Sequence, residues 1–159
     1  MTTGRNITRP EAAARAQHLI AQASHAALGT LVPDTGGPYV SLVAMACRGD
    51  GRPVLLLSAL AAHSRHLAAS DKVSLLVEGG SRTADLDQPR LTLTGRAIRL
   101  DEPGQAKTAF IARHPDMADY DVALDFSYYV VEPDAGRYIE GFGAIWSFEA
   151  NELAMADRP

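Results

Sequence analysis

The sequence of 159 residues predicts a mainly β protein, a small antiparallel barrel with short flanking helices. Three observations favour this class. About seven segments have the composition of strands, short turns rather than regular helices join them, and the chain is short. Strands without helical crossovers argue against a parallel sheet, and six or seven antiparallel strands at this length are typical of a small closed barrel.

The helices are predicted from the residues at their ends. Thr8, Pro10 and Glu11 form a capping box with a proline in the first turn, and apolar residues then recur at helical spacing to about His25. Two further helices are predicted, over 63–69 and from Pro103 to Pro115.

Seven apolar runs bounded by turn residues are predicted as strands. They cover 26–32, 38–47, 53–57, 73–77, 90–100, 126–132 and 137–140. Strand 38–47 is apolar on both faces, so both are expected to be covered. We expect Val43, Met45 and Cys47 to face away from the barrel interior, where the helices offer few large apolar residues to cover them.

A change of phase is predicted near Gly95. The inward residues of strand 90–100 are expected to shift from Leu91 and Leu93 to Ile98 and Leu100, which indicates a bulge or a bend at the glycine.

Composition narrows the classes of function. A net charge of −4 gives no reason to propose nucleic acid or a membrane surface as a partner. The single cysteine, Cys47, lies in an apolar run and is interpreted as a core residue. The polar N-terminus does not resemble a signal peptide, so we expect a cytoplasmic protein with one domain over 1–159, an ordered core at about 8–148 and loose ends.

The start of the second predicted helix carries the largest group of side chains that could bind a ligand. His63, Ser64, Arg65 and His66 occupy its first turn, where free N–H groups and the helix dipole attract anions. The residues alone do not decide between two interpretations, a phosphate-binding site and a helix face that is simply exposed to solvent. His63 and His66 also share one helix face, but no third metal ligand is indicated, so no metal site is assigned.

An ordered set of segments resembles one known family. The set comprises 38–43, 53–58, 63–67, 71–78, 90–97, 112–115 and 141–143. In order and spacing it is similar to the FMN-binding split β-barrels related to pyridoxamine 5′-phosphate oxidase, over about residues 10–146. The His114-Pro115 helix end and the Gly141-Phe142-Gly143 elbow resemble most closely the haem-utilisation branch of that family.

The resemblance implies an FMN site. Ser64 and Arg65 match the family's phosphate-binding pair, and Ser58 matches the hydroxyl residue that closes the preceding strand. The segment Val40, Ser41, Leu42 and Val43 matches the strand beside the flavin ring. His66 and Arg90 stand where the oxidases have a lysine and a glutamine, and the strand 38–46 lacks the basic residues that the oxidases carry at its ends.

Three functions therefore remain open. The first is an FMN-dependent oxidoreductase with an unidentified small-molecule substrate and no assigned catalytic residue. The second is a haem-binding or haem-degrading protein, for which His114 is the candidate iron ligand. The third is a binding module without a cofactor.

A homodimer is expected, with two equivalent sites at the subunit interface. Val43, Met45 and Cys47 would be covered by a second copy, and the resemblance implies sites built from both chains. The elbow 141–143 and Trp146 would help to close the site. A Val43→Asp change is expected to break the dimer.

Overall fold

A computed structural model describes residues 7–80, 87–141 and 143–154 of the chain. Its strands are β1 His25–Leu31, β2 Pro38–Cys47, β3 Pro53–Ser58, β4 Lys72–Glu78, β5 Arg90–Arg99, β6 Phe126–Glu140 and β7 Ala144–Glu149. Its helices are α1 Arg9–Gln22, α2 Ala62–Ala69, α3 Gly104–Arg113, α4 Tyr120–Ala123 and α5 Ala150–Leu153, with a 3₁₀ turn at Pro115–Met117.

Six strands form a closed antiparallel barrel in the order β3-β2-β1-β4-β5-β6. Closure comes from β3 and β6, which pair from Val54↔Val130 to Ser58↔Phe126. Strand β7 extends the sheet by pairing with the second half of β6. The predicted class, a mainly β antiparallel barrel with short helices, is confirmed.

The two ends of the barrel carry different helices. Helix α1 buries Ala12, Ala16, Leu19 and Ile20 against the barrel core. Helix α2 connects the end of β3 to the start of β4, so it lies at the opposite end. We call these the α1 end and the α2 end.

Helix α3 covers part of the outside of the barrel. Its Ala106 and Phe110 pack with Ala46, Val54 and Leu56 in a second apolar cluster. Strand β3 is therefore buried on both faces, because Leu55 and Leu57 belong to the interior cluster.

The bulge predicted near Gly95 lies on the partner strand. The pairing of β5 with β6 shifts between Thr94↔Ala135 and Gly95↔Pro133, which leaves Asp134 as the extra residue. Ala97 stays buried, so β5 keeps one inward phase through Leu91, Leu93 and Ala97. The prediction that Ile98 and Leu100 turn inward is wrong, because the change of phase occurs in β6.

Two other strand predictions need correction. The segment 133–136 is not a turn between two strands, since β6 runs unbroken from Phe126 to Glu140. Strand β7 was not predicted. The predicted and observed counts of seven strands agree only because β6 was predicted as two strands, 126–132 and 137–140. The last described helix, α5, buries Leu153 in the core.

The residues predicted as loose ends lie partly outside the described residues, as does much of the polar loop 79–89. No helix among the described residues is long and apolar enough to cross a membrane.

Candidate functional site at helix α2 and the outer face of β2

The turn after β3 brings Ser58, Ser64 and Arg65 together. Ser64 Oγ donates a hydrogen bond of 2.7 Å to the carbonyl oxygen of Ser58. Arg65 is exposed and its Nη1 donates to the carbonyl oxygen of Leu60 at 3.1 Å. No side chain caps the start of α2, so this turn combines an uncapped helix start with an exposed guanidinium group.

The histidines of α2 face the barrel instead of solvent. A hydrogen bond of 3.0 Å joins His63 Nδ1 to Ser41 Oγ, and one of 2.9 Å joins His66 Nδ1 to Thr30 Oγ1. The His66 ring also meets the Tyr39 ring edge-on, with 5.0 Å between centroids. His66, which the resemblance places at a cofactor, is thus buried and joins α2 to the barrel.

His63 keeps one polar atom without a partner. Its Nε2 is buried and makes no hydrogen bond. Burial, and then the neighbouring His66, lower the pKa of His63 below its usual value. The ring is therefore held in its neutral form at neutral pH.

The two faces of β2 are the reverse of those expected. Val43 is 6% exposed and belongs with Met45 to the interior cluster, so the expectation that they face outward is wrong. Val40 and Leu42 point outward and are 67% and 76% exposed. Of the four residues matched to the flavin strand, these two are accessible, Val43 is not, and Ser41 holds His63.

The exposed side chains of β2 continue across two more strands. Ala27 on β1 lies opposite Leu42 on one side and Leu76 of β4 on the other. Gly29 lies between Val40 and Ser74 in the same way. We call this surface, made of Val40, Leu42 and Leu76 with Ala27 and Gly29 between them, the outer face. Leu76 was not singled out from the sequence, although its alternation with the inward Leu75 would have indicated it.

Arg90 is not brought to the other predicted site residues. Arg90 pairs with Glu78, which is the last residue of β4. Helix α2 precedes Lys72, which is the first residue of β4 and lies at the opposite end of that strand. Six residues of strand separate the two positions, or about 20 Å. Within one chain, Arg90 therefore lies at the α1 end, where its Nη1 donates to the carbonyl oxygen of Gln88.

His114 lies against the outside of β2. Its Nε2 donates a hydrogen bond of 2.9 Å to the carbonyl oxygen of Met45, and its ring packs on Phe110 at 4.7 Å between centroids. Met45 is three residues beyond Leu42, or about 10 Å along the strand. At the C-terminal end of α3, His114 thus lies outside the barrel at about this distance from the outer face.

The elbow lies near the α1 end. Gly141 and Gly143 adopt positive φ angles of 59° and 108°, and Phe142 lies outside the described residues. Trp146 on β7 is part-buried against the core, and its Nε1 is buried without a partner. Within one chain, these residues are not next to α2.

Neither Cys47 nor the histidines form a recognisable metal or nucleophile site. Burial, and then Asp50, raise the pKa of Cys47 to about 11, so the thiol is protonated at neutral pH. Among the described residues, no group of three or more His, Cys, Asp or Glu side chains could hold a metal ion.

The six-stranded antiparallel barrel with helices at both ends defines the class of split β-barrels, and sequence comparison identifies the family. The profile of the CREG β-barrel family matches residues 7–152, and the chain belongs to that family. This match and the relatives described below support the resemblance to the haem-utilisation branch of the split barrels.

Relatives with the same fold include proteins named for haem. Heme oxygenase HOZ, a chloroplastic protein of Arabidopsis thaliana, is 39% identical over 108 residues, which cover 67% of this chain and 33% of that protein. A heme binding protein from Mycobacterium smegmatis has a solved structure with a TM-score of 0.83 and 31% identity, and the match covers 92% of this chain and 61% of that one. The chain therefore spans 33% and 61% of the length of these two relatives.

A third structure shows the same fold at lower identity. It is a protein of the pyridoxinephosphate oxidase family from Clostridium acetobutylicum, with a TM-score of 0.65, 15% identity and coverage of 92% and 99%.

Proposed function

We propose that this chain is a haem-binding protein and that haem lies on the outer face. The observation that carries the proposal is the exposure of Val40, Leu42 and Leu76, which are 67%, 76% and 42% exposed on adjoining strands of one sheet. Contiguous exposed aliphatic side chains mark a binding surface, and small residues between them leave it flat enough for a planar ring. The haem-named relatives support the same conclusion.

His114 is the candidate iron ligand. It lies outside β2, about 10 Å along the strand from Leu42, and its Nε2 donates a hydrogen bond to the carbonyl oxygen of Met45. That bond fixes the ring and leaves Nδ1 with a lone pair, the arrangement commonly seen in metal-binding histidines. Bound haem would supply the redox chemistry, while the chain would supply an apolar surface, a ligand and the position of both.

A titration with haemin tests the proposal. We expect wild-type protein to give a Soret band and His114→Gln to lose it. Glutamine keeps an N–H donor near Met45, so the fold is retained while the imidazole is removed. His18→Gln, on the exposed side of α1, is the matched control. An unchanged band in His114→Gln would exclude His114, and a wild-type spectrum equal to that of free haemin would exclude haem binding.

FMN is the second candidate, since Ser58, Ser64 and Arg65 do come together at the start of α2. Bound flavin would make the protein an oxidoreductase whose substrate is a small molecule. We expect purified protein to bind micromolar FMN more weakly after Arg65→Ala, with Arg137→Ala, an exposed change on β6, as the control. A colourless protein that binds neither added FMN nor haemin would support the third alternative, a binding module without a cofactor.

We also propose a homodimer in the cytoplasm. A second copy would pack over the outer face with the haem between the two chains, so a twofold pairing would give two equivalent ligand sites at the subunit interface. Such a pairing could bring the Arg90 end of one copy near α2 of the other. The protonated, single Cys47 is compatible with a reducing compartment.

A further inference from the structure

We propose that His63 and His66 hold helix α2 against the α2 end of the barrel and that acid weakens this attachment. We call the pair of histidines and their contacts the latch. Helix α2 carries Ser64 and Arg65, so the latch would also set the position of the exposed guanidinium group. The effect on ligand binding rests on the proposed function, whereas the latch itself does not.

Helix α2 has few other anchors. Its buried residues are His66 and Leu67, so one leucine supplies its fully buried aliphatic contact. Its side chains also hold it to the barrel strands through the hydrogen bonds of His66 to Thr30, His63 to Ser41 and Ser64 to the carbonyl oxygen of Ser58. The edge-on contact of the His66 ring with Tyr39 adds to these. A helix of eight residues is too short to be stable by itself, so these contacts decide whether it stays docked.

The neighbours of the two rings do not favour a positive charge. The two rings bond the hydroxyls of Thr30 and Ser41, and the His66 ring meets the ring of Tyr39. His66 is the titratable group that acts on His63, and Arg65 on the same helix points to solvent. A proton on His63 Nε2 would be a buried donor without an acceptor.

The sign of the pH effect follows from this geometry. An undocked α2 exposes both histidines, whose usual pKa is about 6.5. The docked state binds protons less readily, so acid shifts the equilibrium toward the undocked state. Between pH 7.5 and pH 5.5 one such histidine weakens docking by up to about tenfold.

Hydrogen exchange of the backbone amides in α2 measures docking directly. After correction for intrinsic rates, we expect protection of α2 relative to β1 to fall by up to about tenfold from pH 7.5 to pH 5.5. His63→Asn should remove most of that dependence, because its amide can pair with Ser41 but does not titrate. His18→Asn, on the exposed side of α1, should behave as wild type.

Two outcomes would overturn the latch. One is an α2 whose protection relative to β1 is equal at both pH values in wild type. The other is a direct NMR titration in which His63 shows the usual pKa of an exposed histidine. Haemin affinity is measured in parallel. If exchange responds to pH but no haemin binds, the latch stands and the proposed function fails, whereas pH-independent exchange with normal haemin binding refutes only the latch.

Discussion

At Gly95 the backbone of β5 lies close to the backbone of β6. A Cβ atom there would lie 2.1 Å from the carbonyl oxygen of Glu132 and 2.8 Å from the Cα of Pro133. Both are backbone atoms of the bulged strand and neither can rotate away. The glycine is therefore required by the close approach of two backbones.

We expect Gly95→Ala to lower the free energy of unfolding by about 1–3 kcal/mol, the usual cost of overpacking. Urea denaturation measures it. Gly49→Ala is the control, because nothing lies within 4 Å of a Cβ at that position. Equal midpoints for the two variants would show that the bulge has room for a side chain.

Asp50 organises the turn between β2 and β3. It accepts hydrogen bonds from Arg48 Nε at 3.0 Å, from the Arg52 amide at 3.2 Å and from Arg52 Nη1 at 2.9 Å. These bonds, led by the one from Arg48, lower the pKa of Asp50 to about 2. Because the folded pKa lies below the unfolded value, the carboxylate stabilises the fold above about pH 4, and this contribution is lost as the pH falls toward 2.

We expect Asp50→Asn to cost about 1 kcal/mol or less at pH 7, since the turn is near the surface. The difference from wild type should shrink at pH 2.5, as measured by urea unfolding at both values. Asp34→Asn, in an exposed turn, is the control. A difference that is as large at pH 2.5 as at pH 7 would contradict the assigned role of the carboxylate.

Among the elements, α3 links the fold to the proposed ligand. Phe110 is fully buried, and its ring meets Tyr128 at 5.8 Å and His114 at 4.7 Å between centroids. One side chain thus fastens the helix to the barrel and supports the candidate iron ligand.

We expect Phe110→Ala to destabilise the protein by about 3–5 kcal/mol, the range for truncating a buried phenylalanine. Thermal unfolding gives the size of the effect, and haemin titration should show a weaker Soret band because His114 loses its support. Thr108→Ala, on the exposed side of the same helix, should change neither reading. A full-strength band in Phe110→Ala would mean that the ring of His114 is positioned by Met45 alone.

At the scale of the whole molecule, the outer face is where self-association is expected. Val43→Asp cannot test this, because Val43 lies in the barrel interior and an aspartate there would unfold the chain. Leu42 is 76% exposed, so an aspartate at that position leaves the single chain intact. In a dimer it would bury an unpaired charge, at a cost of several kcal/mol.

Light scattering at low micromolar concentration gives the mass. We expect wild type at twice the chain mass of 17.0 kDa and Leu42→Asp at the single mass. Val122→Asp, also highly exposed but on α4, should keep the doubled mass. A wild-type mass of one chain would refute the dimer, and a doubled mass in Leu42→Asp would place the interface elsewhere.

Local signals in the sequence predicted the elements well where a few adjacent residues control the backbone. Thr8 and Glu11 form the expected capping box, and β2 occupies its predicted range. The turn signal at 133–136 failed because β5 and β7 pair with this segment from both sides. The hydrogen bonds that β6 forms with β5 and β7 here are stronger than the turn preference of Pro133 and Gly136.

The candidate site was predictable only in part, for the same reason. Ser58, Ser64 and Arg65 are separated by one short turn, so their proximity follows from the local sequence. The distance of Arg90 from α2 depends on which ends of the strands meet when the barrel closes.

The sequence by itself determined that this chain forms a small antiparallel barrel, because alternation and turn residues act over a few neighbouring positions. The split-barrel type followed from the resemblance to a known family. The sequence also determined which residues of β2 share a face. Only the tertiary structure decided that Val43 is inside the barrel and that Val40 and Leu42 are outside. The reason is that pairing with the other five strands sets which face of β2 points inward when the barrel closes. The tertiary structure also decided that His63 and His66 face Ser41 and Thr30, because helix α2 packs against the α2 end of the barrel through contacts that are distant in sequence.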